Sequence, residues 1–175
     1  LAGYPLILPM IVWGYHRDHR RWLRACATWT AADLPLANPA SVLAWNSDKS
    51  YLARLAGRGV PMPETIWSDG VTADTVAAAF TDTGADQLIV KPTVSGGAWK
   101  TLRLSPGDAV DDAPEGSAMI QPYLPTIETA GETSLLFFGG VFSHAVNKRP
   151  VPGDFRIQVQ YGGLYTPVPD PPAGA

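Results

Sequence analysis

Sulfur, net charge and long apolar runs are all scarce in this sequence, and each scarcity excludes something. Cys26 is the only cysteine. An intramolecular disulfide framework and a multi-cysteine zinc site are therefore excluded, and a lone Cys inside a helix-like run reads as a small buried apolar residue rather than a nucleophile. Charged residues make up 17% of the chain and the formal net charge is -3. No general electrostatic attraction to nucleic acid or to an anionic membrane is expected, so any phosphate must be held by a few placed cations. The first apolar run, Tyr4 to Trp13, is too short to span a bilayer and is interrupted by Pro5 and Pro9. It also lacks the basic start and small-residue cleavage site of a signal peptide, so a reducing cytoplasm is the expected compartment. The glycine spacing matches neither a Walker loop nor a dinucleotide fingerprint, and no internal repeat is present.

What is there is ordinary globular composition, 46% hydrophobic with six Trp over 175 residues. That length suits one domain or parts of two and buries a core without a structural metal. Tyr4–Trp13 reads as a buried strand, near-continuously apolar as in parallel sheets. His16–Trp29 turns from polar to apolar at helical spacing, with Trp22, Ala25, Cys26 and Trp29 on one face. A turn follows at Leu34–Pro39. Ser47 or Asp48 can cap a helix through Lys49, Leu52 and Leu55, stopped by Gly57 or Gly59, and Pro61 and Pro63 bracket a linker. Thr72 or Asp74 starts a further helix and Gly84 ends it. Strands are expected at Gln87–Lys91, around Lys100–Leu104 and at Ala118–Leu124, with a Gly139-Gly140 hairpin joining Thr133–Phe138 to Val141–Val146. Phe155–Tyr161 alternates like a strand, and the Pro-rich tail from Leu164 reads as a linker or exposed end. The class is mixed α and β.

Four elements carry chemistry. Lys91 ends a buried-type strand and precedes the loop Thr93–Gly97; a strand-end ammonium beside Ser and Gly suits a phosphate, whose oxygens backbone N–H groups can close on. Taken alone, a Lys snorkelling to water before a tight turn reads as well or better. Lys49 sits at a helix start, where the dipole slightly disfavours a cation. In the third element, Gln121 to Pro125, a strand leaving its sheet at a Pro exposes backbone groups that can read an adenine edge, with Glu128 and Glu132 placed to take ribose hydroxyls; an edge strand ended by Pro is the plain alternative. In the fourth, Lys148, Arg149 and Arg156 surround a Pro-Gly turn with Asp154. An anion site and a solvated hairpin end fit that pattern equally. His16 and His19 have no evident third metal ligand, and no general base is evident.

These four elements, in this order from about Trp13 to Gly163, resemble the ATP-grasp superfamily, in particular its glutathione-synthetase-like branch. The resemblance implies an α/β (α+β) ATP-grasp fold with two subdomains clasping ATP: residues 1–38 as the end of a Rossmann-like preceding domain, 39–120 as the N-terminal subdomain and 121–175 as the start of the C-terminal one. It assigns ATP phosphates to Lys49, Lys91 and the Ser95-Gly96-Gly97 loop, adenine to the hinge Gln121–Leu124 including Tyr123, and ribose to Glu132, with Glu128 as runner-up. Arg156 matches the Arg that neutralises the transferring phosphoryl group. Lys148 stands where many members have Arg, with Arg149 beside it, so either can meet substrate. Gln158 stands where relatives often have Asn. The strings Trp13-Gly14-Tyr15-His16, Trp45–Lys49, Ile127-Glu128 and Lys148-Arg149-Pro150 are most similar to a small group that includes the ATP-grasp cyclo-ligase of D-cycloserine biosynthesis.

The implied activity is transfer of the ATP γ-phosphoryl group to a carboxylate, then attack on the acyl phosphate by an amine-type nucleophile; in the cyclo-ligase case this closes the ring of O-ureido-D-serine. The implied alternatives are a glutathione-synthetase-like amino-acid or peptide ligase and a non-catalytic nucleotide-binding module. The expected partner is a small carboxylate or amino-acid-derived substrate, with no nucleic acid, no membrane and no sign of oligomeric state. The family's Mg²⁺ ligands form an Asp…Glu-x-Asn-like pattern on two late strands, whereas Asp170 is the sole acidic residue after Gly163. The expectation is a piece of a longer protein whose metal ligands lie outside this chain.

Overall fold

The computed structural model describes residues 3–10, 12 and 14–171. They divide into two compact units, 1–123 and 124–175. The first unit opens with a single parallel bridge, Ile7 to Leu36, and a 3-10 turn Tyr15–Arg17. Helix α1 (His19–Ala31) follows, capped by the Asp18 carboxylate accepting from the Arg21 N–H. Helix α2 (Ala40–Asn46) and helix α3 (Tyr51–Ala56) come next. Then strand β1 (Ile66–Asp69), helix α4 (Ala73–Thr83), and strands β2 (Leu88–Pro92), β3 (Leu102–Leu104) and β4 (Ser117–Pro122) complete it.

These four strands form an antiparallel sheet in the order β1-β4-β2-β3. The β2 pattern buries Leu88, Val90 and Pro92 on one face. There Leu88 and Val90 join Ile120 and Leu104 against Val76 and Ala79 of α4. Period-2 alternation turns Ile89 and Lys91 to the other face, which leaves Lys91 off the core. A second cluster joins Trp22 and Cys26 of α1 to Ala40 of α2, with Trp22 edge-on to Trp29 at 5.6 Å.

In the second unit, helix α5 (Thr126–Thr129) leads to a three-stranded antiparallel sheet of β5 (Glu132–Phe138), β6 (Val141–Arg149) and β7 (Leu164–Val168). The β5–β6 turn places Gly139 and Gly140 at φ 57° and 80°, the double positive φ such a hairpin requires.

Three expectations need correction. Among the described residues of 4–13 the expected buried strand is reduced to the Ile7 bridge, and Tyr4, Leu6, Leu8 and Met10 are exposed; Ile11 and Trp13 lie outside the described residues. Phe155–Tyr161 is not a strand: the Asp154 carboxylate takes the N–H groups of Phe155 and Arg156, and a 3-10 turn covers Val159–Tyr161. The tail from Leu164, expected as a linker or exposed end, begins instead with the strand Leu164–Val168, paired to β6 at the edge of its sheet.

Candidate functional site

In the first unit the chain folds Lys49 onto the segment after β2. Its backbone N–H donates to the Thr93 carbonyl at 2.9 Å, and its Nζ donates to the Ser95 carbonyl at 2.8 Å. Lys49 lies in the turn ahead of α3 rather than inside its first turn, so the helix dipole is not its main stress. Burial pushes its pKa down, the neighbouring Lys91 ammonium pushes it further, and Asp48 partly opposes both. Two cations, one of them desolvated, form a site that an oxyanion relieves. The structure thus brings Lys49, Lys91 and Ser95 together.

The loop itself is constrained. Ser95 is buried; its carbonyl also accepts the Tyr15 hydroxyl at 2.9 Å, while its own hydroxyl donates to the Trp99 carbonyl at 2.9 Å. Gly97, Ala98 and Lys100 have φ of 62°, 60° and 50°. Left-handed backbone at two non-glycine residues is uncommon and characteristic of functional loops. A cleft of about 330 Å³ adjoins it, lined by Asp48, Thr93, Trp99, Lys100 and Glu115 among others.

Gln121 is buried in β4, and its side-chain amide donates to the Thr65 hydroxyl at 2.7 Å. Its side-chain amide is therefore engaged within the unit. Beyond it, the Tyr123 N–H donates to the Gln87 carbonyl and the Arg103 guanidinium lies 5.0 Å from the Tyr123 ring. Leu124, half exposed, begins the second unit.

Within the second unit, Glu132 and Lys148 face each other across β5 and β6, with Nζ to Oε1 at 2.8 Å. The Arg149 Nε donates to the Asn147 side-chain oxygen at 3.2 Å. Arg156 forks onto Asp154, Nη2 to Oδ2 at 2.7 Å, and stacks 3.9 Å from the Tyr161 ring centre. Side-chain bonding from Arg156 above all pulls the Asp154 pKa down to about 2. Glu132 and Lys148 compensate one another, as do Asp154 and Arg156. Glu128 is exposed on α5.

His16 and His19 do not converge. The His19 Nε2 lies 2.8 Å from the Ser47 hydroxyl; that hydroxyl donates to the Ala44 carbonyl, so it accepts from the imidazole. Among the described residues no three His, Cys, Asp or Glu gather as a metal site. Tyr15, His16 and Trp99 are the neighbours of the loop that residue-type reasoning left without a role, although Tyr15 and His16 belong to one of the strings that carried the family resemblance.

No protein-family model matches the chain. Over 125 residues it is 34% identical to a cycloserine biosynthesis protein, DcsG, of Streptomyces lavendulae, a match covering 65% of this chain and 42% of that protein. Its structure is similar to that of D-cycloserine synthetase DcsG, with a TM-score of 0.77 and 24% identity over 94% of this chain and 60% of the other. It is also similar to D-alanine–D-alanine ligase of Helicobacter pylori, with a TM-score of 0.52, 14% identity and 79% of this chain covered against 44% of that one. The ATP-grasp ligase PsnB, solved with a precursor variant, Mg and ADP, gives a TM-score of 0.55 at 17% identity over 88% of this chain and 50% of its own. The chain has the ATP-grasp fold, and it spans less than half the length of the curated relative it matches.

Proposed function

We propose that this chain is the nucleotide-binding part of an ATP-dependent ligase that activates a carboxylate as an acyl phosphate, and that its reaction is the ring closure of O-ureido-D-serine to D-cycloserine. The observation that carries the reading is the desolvated Lys49 ammonium, docked at 2.8 Å on the Ser95 carbonyl with Lys91 near enough to depress its pKa. Lys49, Lys91 and the Ser95-Gly96-Gly97 loop bind the ATP phosphates. Backbone groups of Gln121, Tyr123 and Leu124 receive adenine, and Glu132 the ribose. Arg156, Lys148 and Arg149 neutralise the transferring phosphoryl group and the substrate carboxylate. Residues 1–38, 39–120 and 121–175 correspond to the end of a preceding domain and the two ATP-grasp subdomains.

The chemistry asks for placement and charge more than for covalent help. A carboxylate oxygen attacks the γ-phosphorus and ADP leaves; the nucleophilic nitrogen then attacks the acyl carbon, giving up its proton as inorganic phosphate departs. For O-ureido-D-serine the carbamoyl group on that nitrogen is lost with one water as carbon dioxide and ammonia to leave D-cycloserine. Each step builds negative charge on oxygens, and preorganised cations stabilise it. The similarity to the cycloserine biosynthesis protein favours cyclisation over intermolecular ligation.

Isothermal titration with ATP tests the nucleotide role. Lys91→Ala should weaken binding by about tenfold or more, the size of one charge-assisted hydrogen bond; unchanged affinity would remove Lys91 from the site. An ADP-release assay of the full-length protein, with O-ureido-D-serine set against dipeptide-forming amino acids, tests the substrate. Release driven by amino-acid pairs and not by O-ureido-D-serine would replace cyclisation with peptide-type ligation.

A further inference from the structure

The 3-10 turn Tyr15–Arg17 touches the phosphate loop at three points. The Tyr15 hydroxyl reaches the Ser95 carbonyl. The His16 ring lies 5.2 Å from the Trp99 ring, tilted by 49°. Between these, His16 occupies the space that a side chain at Gly96 would need: a Cβ built there would sit 3.1 Å from Nδ1 and 3.5 Å from Cε1. Gly96 does not have the positive φ that would demand glycine on backbone grounds. The imidazole, rather than the backbone conformation, is what crowds a side chain at that position.

The same Nδ1 is buried and has no hydrogen-bond partner. An unsatisfied buried nitrogen is a cost that a phenyl ring of similar shape would avoid. Packing alone therefore accounts for the ring but not for its nitrogen. Burial, Arg17 and Lys49 all push the His16 pKa down, so near neutral pH the ring is uncharged, with one nitrogen free to accept.

We infer that His16 is a positioning residue for nucleotide binding: it seats Gly96, and its Nδ1 accepts a backbone N–H of the loop when the loop closes on the ATP phosphates. This rests on the nucleotide reading above. Lys49 shares the Ser95 carbonyl with Tyr15, so when the ammonium turns to a phosphate oxygen, Tyr15 keeps that carbonyl satisfied and the loop anchored.

The test is hydrogen exchange of the loop amides at residues 95–99, with and without ATP, in the wild type and in His16→Ala, His16→Gln and Gly96→Ala. ATP should slow exchange in the wild type, and His16→Ala should lose most of that protection and bind ATP about tenfold more weakly, the effect of one lost hydrogen bond. His16→Gln, which can still accept, should recover part of both. Gly96→Ala should weaken binding, and His16→Ala in the same chain should restore some of it by making room for the methyl. Long-range proton–nitrogen NMR should show the His16 Nδ1 resonance moving when ATP is added. Protection by ATP that persists undiminished in His16→Ala overturns the inference and leaves the nucleotide reading intact. No protection and no binding in the wild type overturns both.

Discussion

Lys49 shows how a residue's surroundings can oppose its own charge. Its ammonium is desolvated and faces Lys91, so its folded pKa lies below its unfolded one. A group with that sign contributes least to stability where it is fully charged, far below the unfolded value, which includes neutral pH. Lys49→Met keeps much of the side-chain volume and removes the charge. It should hold or raise the thermal midpoint of the nucleotide-free protein while abolishing the ATP-dependent rise in that midpoint, a pair of readings that differential scanning fluorimetry separates. His16 titrates with the same sign, below the usual value of 6.5. Stability tied to it is complete above that value and falls as pH drops through and below it. The urea midpoint should therefore decline on moving from about pH 8 to about pH 5.5, and His16→Gln should flatten the decline. Asp154 follows the same direction at lower pH: its contribution is complete above the ordinary carboxylate value of 3.8 and disappears as pH falls toward about 2.

At the scale of elements, the readable parts are those in which local pattern and tertiary role agree. Helix α4 is announced by Thr72 and ended by Gly84, and both do what they announce: Thr72 and Thr75 form a reciprocal capping box, and Gly84 closes the helix at φ 62°. Thr72→Ala should cost about 1 kcal/mol in chemical denaturation. Leu88, fully buried beneath that helix, should cost about 2–5 kcal/mol when changed to Ala. The misreadings have physical causes. Residues 155–161 alternate correctly for a strand, but the Asp154 carboxylate supplies their backbone partners first. β7 lies in the Pro-rich tail and carries Pro167, yet an edge strand pairs on one side only, so a missing N–H is tolerated there. Helix α2 is short and begins at Pro39 without a side-chain cap, so nothing local marks its start. Of the candidate site, Lys49, Lys91 and the glycine loop were visible as residue types in order. The seat formed by Tyr15 and His16 was not, because its meaning is a contact with residues some eighty positions away.

For the whole molecule, two compact units each bring their own cations, and they hold them differently. The first keeps Lys49 partly desolvated against a carbonyl, whereas the second keeps Lys148 and Arg156 beside carboxylates. A ligand that binds only the folded state stabilises it by mass action, by about 2.7 kcal/mol at a hundredfold excess over its dissociation constant. The carbonyl that holds Lys49 has a further effect on which anions can be bound. A peptide oxygen is a weak but permanent rival for the ammonium, and any arriving anion must outbid it. Chloride brings a single charge and no second oxygen with which to reach the neighbouring loop. A nucleoside triphosphate brings several charges joined in one molecule, reaches Lys91 and the loop amides together, and can draw the lysine across. On the nucleotide reading proposed above, the Ser95 carbonyl sets a threshold that an anion must exceed before it takes the Lys49 ammonium.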